Sequence, residues 1–254
     1  MKIRFTTCAV LILPLALIAQ TQQPKAKSQK ELDALKKVQA DQQAGNWDAE
    51  IQDINSVLEN FTDTQFKDQL LNMAMNAAQA KNDYEQTIAF GERAMQSDAK
   101  NVQARVLMAE VIAQHTREND LDRDQSIKKA DDYANQALTL LKDPAAAPPA
   151  GVPADRWPEF RKQLGAEAHD ALGMTDDTVK KYPDAITEYK AALTDYPNAV
   201  TMTHLTKAYI DAKQYDDAIA TADKVLAMTD ASDNVKQFAQ QQKADATKRK
   251  AAAK

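Results

Sequence analysis

Two stretches of the chain repeat one another at a constant offset of 33 residues, Gly173–Pro197 and Thr206–Leu226. Aligning Ala185 with Ala218 also aligns other pairs of identical residues, among them Tyr182 with Tyr215, Ile186 with Ile219, and Leu193 with Leu226. A fixed period of about 20–50 residues is typical of stacked supersecondary units that share one continuous core. The repeat therefore predicts an array of such units, and arrays of this kind present binding surfaces more often than they host chemistry.

The composition and the apolar pattern indicate that each unit is helical. The chain has only five glycines and 6% aromatic residues, and Ala, Gln, Lys, Asp and Leu are common, which favours helices over strands. From Glu31 onward, apolar residues return every three or four positions, as they do along one face of a helix. Breaks at Gly45-Asn46 and at Lys81–Asp83 predict turns between paired helices.

The two best units resemble tetratricopeptide repeats, which pair two antiparallel helices in about 34 residues. The matching residues in the first of these units are Leu172, Gly173, Ala185, Tyr189, Ala192 and Pro197, and in the second they are Leu205, Tyr209, Ala218 and Val225. The resemblance implies an all-α fold. It implies a right-handed superhelical array of antiparallel helix pairs, an α-solenoid, with about five repeats and a C-terminal capping helix.

The rest of the chain divides around these two units. We expect divergent units 1–3 over residues 31–143, with an insertion at 116–124, and a Pro/Ala-rich connector over 144–154. Units 4–5 then cover 155–232, with Asp155 as a helix cap, and 233–254 forms a capping helix with a frayed basic tail. Glu50 and Thr87 depart from the repeat pattern, because they stand where Ala is usual.

The first residues have the organisation of a secretory signal peptide. Lys2 and Arg4 precede the apolar run Cys8–Ala19, which is shorter than the about 20 residues that span a bilayer. We expect residues 1–19 to be removed, residues 20–30 to form a flexible lead-in, and the mature protein to reach a periplasmic or extracellular location, as a protein of bacterial envelope type. The alternative is an uncleaved N-terminal membrane anchor; after cleavage we expect no stable membrane insertion.

Motifs that carry catalysis or cofactor binding are missing from the sequence. His115, His169 and His204 have no second His or Cys at metal-ligand spacing, and no nucleophile elbow or phosphate-binding glycine loop occurs. We therefore predict no catalytic, cofactor or metal residues, and no enzyme. The net charge of −5 argues against nucleic acid as a partner.

One acidic stretch leaves calcium binding open. Asp120, Asp122, Asp124 and Asp131 are spaced as ligands of an EF-hand loop, but Gln125 replaces the glycine that its sharp turn requires. The alternative is an exposed loop whose carboxylates lie at a helix N-terminus and stabilise its dipole.

The sequence thus predicts an exported scaffold that binds a protein or peptide along its concave face, which the first helices line in this family. The candidate residues are Asn76, Gln79, Glu110, Asp170, Met174, Asp177 and Lys207. This mildly acidic set lacks the Lys/Asn/Arg pattern by which some tetratricopeptide domains hold a terminal carboxylate, so a basic or polar peptide is favoured. The alternative is an assembly component of an envelope complex or a self-associating array, which would use the connector or the C-terminal helix. We expect Trp47 and Trp157 to be core residues.

Overall fold

The structure is a computed structural model that describes residues 24–144, 146–149 and 151–253. Within these residues the chain forms eleven α-helices and no strand. The helices are α1 (Gln29–Ala44), α2 (Trp47–Asn60), α3 (Lys67–Ala80), α4 (Tyr84–Ser97), α5 (Val102–His115), α6 (Arg123–Lys142), α7 (Trp157–Thr178), α8 (Tyr182–Asp195), α9 (Ala199–Asp211), α10 (Tyr215–Ala227) and α11 (Asp233–Ala252). None of these helices is long and apolar enough to cross a membrane. The predicted signal peptide lies outside the described residues.

The helices pack as sequential pairs, from α1 with α2 to α9 with α10. The second helix of each pair also contacts the first helix of the next pair. In addition, α5 lies against both α3 and α7, α7 lies against α9, and α9 lies against α11. The first helices of successive pairs therefore form one layer, and the predicted array of helix pairs is confirmed.

The turn inside four of the five pairs has the same backbone geometry. A residue with positive φ, between 57° and 68°, stands two positions before the second helix in these pairs, and these residues are Gly45, Asn82, Lys180 and Lys213. An aromatic residue then begins each second helix, and these residues are Trp47, Tyr84, Tyr182 and Tyr215. This left-handed conformation is free of steric cost only for glycine. In each of these turns the N–H of the next residue donates to a carbonyl five positions earlier, which is the hydrogen bond that closes a left-handed helix end.

The beginnings of several helices are capped by side chains. Ser28, Asp83, Asn101, Asn198 and Ser232 each accept a hydrogen bond from the backbone N–H three residues later, which satisfies a donor that the helix leaves unpaired. Asp155 does not have this role, and the prediction of a cap there is wrong. Arg156 occupies the cap position of α7 without a side-chain bond, and the backbone N–H of Trp157 donates to Pro153 instead.

Small residues in the core allow the repeated helices to approach one another closely. Ala185, Ala192 and Ala218 are fully buried, as the repeat pattern predicts. A Cβ atom added to Gly173 in α7 would lie 2.6 Å from Cδ1 of Tyr189 in α8, and only 1% of Tyr189 is exposed. The aromatic ring of α8 therefore fills the space that the missing side chain of α7 leaves.

The proline-rich connector lies on the array and does not separate it into two parts. Val152 is buried in the core that α5, α6 and α7 share, and the indole Nε1 of Trp157 donates to the carbonyl of Ala146 at 3.0 Å. Trp157 itself is buried, as expected. Because α7 packs on both α5 and α6, the apolar core continues from the third pair into the fourth.

Both ends of the described array are held more firmly than the sequence indicates. In the expected flexible lead-in, the N–H of Lys25 donates to Gln65 at 3.0 Å and the ammonium of Lys27 to Asp63 at 2.7 Å. At the other end, α11 packs on α9 and α10 and stays helical to Ala252. Ala246 is fully buried, so part of the expected frayed tail contributes to the core.

Candidate functional site

The seven predicted groove residues all lie on first helices of the pairs. Asn76 and Gln79 lie on α3, Glu110 on α5, three residues on α7 and Lys207 on α9; the three on α7 are Asp170, Met174 and Asp177. Asn76 and Gln79 lie on the helix that precedes α5 in the layer of first helices. Met174 packs among apolar residues of three neighbouring clusters. The remaining four charged residues lie on the adjacent helices α5, α7 and α9.

Asp170 is paired with a histidine that the groove prediction did not include. Nδ1 of His204 in α9 lies 3.1 Å from both carboxylate oxygens of Asp170 in α7. Burial of His204 acts to lower its pKa, but the negative charges of Asp170, Asp177 and Glu110 outweigh burial and raise the pKa. A protonated imidazole is therefore favoured here, and it joins two neighbouring first helices by a charge-assisted hydrogen bond.

Asp177 follows Asp170 by about two turns on the same face of α7. Its Oδ2 atom accepts a hydrogen bond from the Tyr189 hydroxyl at 3.3 Å and lies 3.5 Å from the ammonium of Lys207. Lys207 also pairs with Asp211 at 2.9 Å. Burial raises the pKa of Asp177 against the opposing effect of Lys207, so a single lysine serves two carboxylates.

Two glutamates complete the cluster, and each accepts a hydrogen bond from a neutral amide on its own helix. Oε1 of Glu110 in α5 accepts from the amide of Gln114 at 2.8 Å, and Oε1 of Glu167 in α7 accepts from Gln163 at 2.9 Å. Burial is the largest cause that raises the pKa of both carboxyls, and repulsion from Asp170 adds to it. The pKa of Glu110 is further raised by Glu167. The three carboxyl groups therefore share one electrostatic environment.

We call these residues the groove cluster: Glu110, Glu167, Asp170, Asp177, His204, Lys207 and Asp211. Sequence reasoning missed Glu167, His204 and Asp211. The sequence does contain a signal for these residues. Glu167 lies three positions before Asp170, and His204, Lys207 and Asp211 follow one another at intervals of three and four positions. Such spacing places polar side chains on one helix face, and adjacent first helices then bring those faces together.

The possible EF-hand stretch does not form a loop of the required length. The helix α6 begins at Arg123, so most of the twelve residues between Asp120 and Asp131 are helical. Asp131 accepts a hydrogen bond from Thr175 at 2.7 Å, and Asp124 pairs with Arg123. Asp124 lies in the first turn of α6, as the alternative predicted, whereas Asp131 lies within the helix and makes a contact with α7 that neither interpretation predicted.

The remaining histidine on α7 is also explained by contacts between helices. Nδ1 of His169 lies 2.7 Å from Glu188 Oε2 on α8, so the side chain lies between the two helices of the fourth pair. Trp47 is half-buried and packs against the N-terminal apolar core. The partial burial of Trp47 agrees with the core role expected from the sequence.

Comparison with known proteins identifies the fold. No protein-family model and no curated protein matches the sequence. Among solved structures, a thermophilic tetratricopeptide-repeat protein from Thermus thermophilus is similar, with a TM-score of 0.55 and 15% identity over 84% of this chain and 98% of that chain. A tetratricopeptide-repeat protein from Parabacteroides merdae gives a TM-score of 0.44 and 11% identity over 89% and 93%. The chain therefore has a tetratricopeptide-repeat-like fold.

Proposed function

We propose that the chain is a protein-interaction scaffold whose groove cluster binds a basic segment of a partner protein. The fold supports the general role, because arrays of helix pairs present a continuous surface on their first helices. The groove cluster supports the choice of partner. It is carried by α5, α7 and α9, which are neighbouring first helices.

The observation that carries the proposal is the imbalance of charge within the cluster. Five carboxyl groups, on Glu110, Glu167, Asp170, Asp177 and Asp211, face one imidazole and one ammonium. The raised pKa values of Glu110 and Glu167 reflect the cost of partial burial and of repulsion from Asp170. A lysine or arginine side chain from a partner would lower that cost, since an opposite charge within about 4–6 Å favours the ionised carboxyl.

The test uses a fluorescently labelled peptide in which Lys alternates with Ser, together with a matched peptide in which Glu replaces Lys. We expect only the lysine peptide to bind, and the double variant Glu110→Gln, Glu167→Gln to weaken its binding about tenfold. Both substitutions keep the shape of the side chain and its hydrogen bond from a neighbouring amide. Glu85→Gln, on the exposed side of α4, is the matched control and should leave the affinity unchanged.

Two results would overturn the proposal. The first is equal binding of the lysine and glutamate peptides, which would mean that charge does not select the partner. The second is full affinity in the double glutamine variant, which would mean that the groove cluster is not the binding surface. Circular dichroism of the variant would confirm that its helices are intact.

We further propose that this scaffold acts outside the cytoplasm. The support is the sequence of residues 1–19, in which two basic residues precede a short apolar run. N-terminal sequencing of the protein from its native host should give a chain that starts close to residue 20. A mature protein that retains Met1 or Lys2 would contradict export by cleavage.

A further inference from the structure

A surface pocket of about 500 Å³ lies away from the groove cluster, among the helices of the first two pairs. It is lined by Leu58, Thr62, Lys67, Leu71, Arg93, Gln96 and Ser97. These residues come from the C-terminal halves of α2 and α4, from the start of α3 and, for Thr62, from the loop between α2 and α3. The volume lies within the range of about 300–1,000 Å³ that is typical of ligand sites in proteins.

The chemistry of the lining is specific in two respects. Its apolar part consists of two leucines, Leu58 and the almost fully buried Leu71. Its charged part consists of Lys67 and Arg93, and no carboxylate lines the pocket. Thr62, Gln96 and Ser97 add hydroxyl and amide groups that can bond to a peptide backbone. A lining that combines two leucines with two cations fits a carboxylate that lies beside an aliphatic side chain.

The two cations are available for such a ligand. Arg93 makes one long hydrogen bond, 3.4 Å from Nη1 to Asn55 Oδ1, and its guanidinium lies 5.2 Å from the ring centre of Phe90. Lys67 is exposed and has no ion pair within the part of the chain that the structure describes. The neighbouring carboxylate of Glu92 is directed to Lys129, at 3.4 Å.

The partial charges of the helix ends do not reverse the preference of the pocket for a negatively charged ligand. The N-terminus of α3 meets the C-termini of α2 and α4 at the pocket, and each end carries a partial charge of only about half a unit. The positive end and the negative ends oppose one another, whereas Lys67 and Arg93 each contribute a full charge. A protein of net charge −5 also repels an extended polyanion such as nucleic acid, which favours a short acidic peptide over a phosphate backbone.

We propose that this pocket, the α2–α4 pocket, is a second binding site that takes an acidic segment of a partner polypeptide, with a carboxylate on Lys67 and Arg93 and an aliphatic side chain on the two leucines. The pocket is separate from the groove cluster, and it prefers a ligand of the opposite charge. The scaffold then has one site for basic segments and one for acidic segments on different helix pairs.

The test is amide chemical-shift mapping on the full-length chain with the peptide acetyl-Ser-Glu-Leu-Glu-Ser-amide. We expect shifts at the α2–α4 pocket and an affinity about tenfold weaker in Lys67→Glu and in Arg93→Glu. Lys224→Glu, a charge reversal at an exposed position of α10, is the matched control and should bind normally. Lys67→Gln and Arg93→Gln should give smaller losses, which provides a second series if a reversal disturbs folding.

The same peptide with Lys in place of Glu should leave the amides of the pocket unshifted, and inorganic phosphate at equal concentration should shift them less than the glutamate peptide does. The proposal is overturned if the glutamate peptide shifts amides elsewhere, if both reversals bind at full affinity, or if phosphate alone reproduces the shifts while the peptide does not. A failure here leaves the groove cluster untouched, because the lysine peptide reports on that site separately.

Discussion

The imidazole of His204 on α9 bridges both carboxylate oxygens of Asp170 on α7, with Nδ1 3.1 Å from each. The contact is largely shielded from water, since the side chains are 22% and 11% exposed. Together with the contact between Asp177 and Lys207, it joins two first helices whose backbones approach each other at few positions. The charge state of one histidine therefore affects how firmly the groove cluster is assembled.

Replacing His204 with Gln should destabilise the protein in a pH-dependent manner. Because the folded pKa of His204 is raised, its stabilisation is fully present below the unfolded pKa, about 6.5, and is lost as pH rises through the folded pKa. We expect His204→Gln to reduce the free energy of unfolding by about 1–2 kcal/mol at pH 6 and by less at pH 9. Urea denaturation at both pH values measures the difference.

A second variant tests the partner in this interaction. Asp170→Asn should lower the pKa of His204, as followed by the NMR shift of the imidazole Cε1 proton. If the pKa stays the same in Asp170→Asn, or if His204→Gln is equally destabilising at pH 6 and pH 9, the bridge is not the source of the effect.

Glu50 should make the first helix pair less stable as pH rises. Only 1% of Glu50 is exposed, and neither carboxyl oxygen has a hydrogen-bond partner among the residues that the structure describes. Burial, with repulsion from Asp41, raises its pKa from 4.5 to about 7. The loss of stability caused by ionising the buried Glu50 carboxyl therefore grows between pH 4.5 and 7 and then stays constant.

The substitution Glu50→Gln removes this penalty. We expect it to raise the free energy of unfolding by about 2–3 kcal/mol at pH 8, with no gain at pH 4.5. Glu59→Gln, at an exposed position of the same helix, should change little at either pH. An equal effect of Glu50→Gln at both pH values would show that ionisation is not responsible.

Two glycines that face neighbouring side chains should respond differently to alanine. Alanine gains about 1 kcal/mol over glycine in a helix interior, so the outcome depends on whether the neighbour can move. At Gly173 the obstacle is the rigid ring of buried Tyr189, 2.6 Å away at Cδ1, whereas at Gly91 it is the flexible side chain of Met108, 2.8 Å away at Cγ. We expect Gly173→Ala to be the more destabilising by at least about 1 kcal/mol, as thermal unfolding would show. Equal or reversed effects would mean that the helices of the fourth pair are not packed at this distance.

The pairing of the helices could be predicted from the repeat, because it depends on residue types that recur within each unit. Ala185 and Ala218 occupy equivalent buried positions, and the residue types at turns and helix starts recur with them. The groove residues could be assigned to first helices for the same reason. Position along a helix, however, does not determine which residue of the next helix lies opposite.

The contacts that sequence reasoning missed all depend on that relation between helices. Glu110 and Glu167 lie on different pairs, with the irregular connector between them, so no spacing rule predicts that they interact. The capping of α7 was missed for a related reason. A backbone hydrogen bond from Trp157 to Pro153 takes the place of the side-chain cap expected from Asp155. The path of the connector determines which of these two bonds forms.

Calcium should have no effect on the acidic stretch before α6. Helix α6 already contains Asp124 and Asp131, and Asp131 is bonded to Thr175, so chelation would require a turn of helix to unwind. Calorimetric titration with calcium chloride should give no binding heat, and the melting temperature should stay the same with and without calcium. A saturable heat that disappears in Asp120→Asn would contradict this prediction.

The most direct test of the central claim is site-specific photo-crosslinking from the groove in the native host. A photoreactive amino acid replaces Met174, which lies between Asp170 and Asp177 on α7, and in a control it replaces Glu85 on α4. Mass spectrometry then identifies the crosslinked partner segment. We predict a segment rich in Lys or Arg that is captured from position 174, lost in the Glu110→Gln, Glu167→Gln variant, and absent from position 85. Capture of a neutral or acidic segment, or equal capture from both positions, would contradict the account.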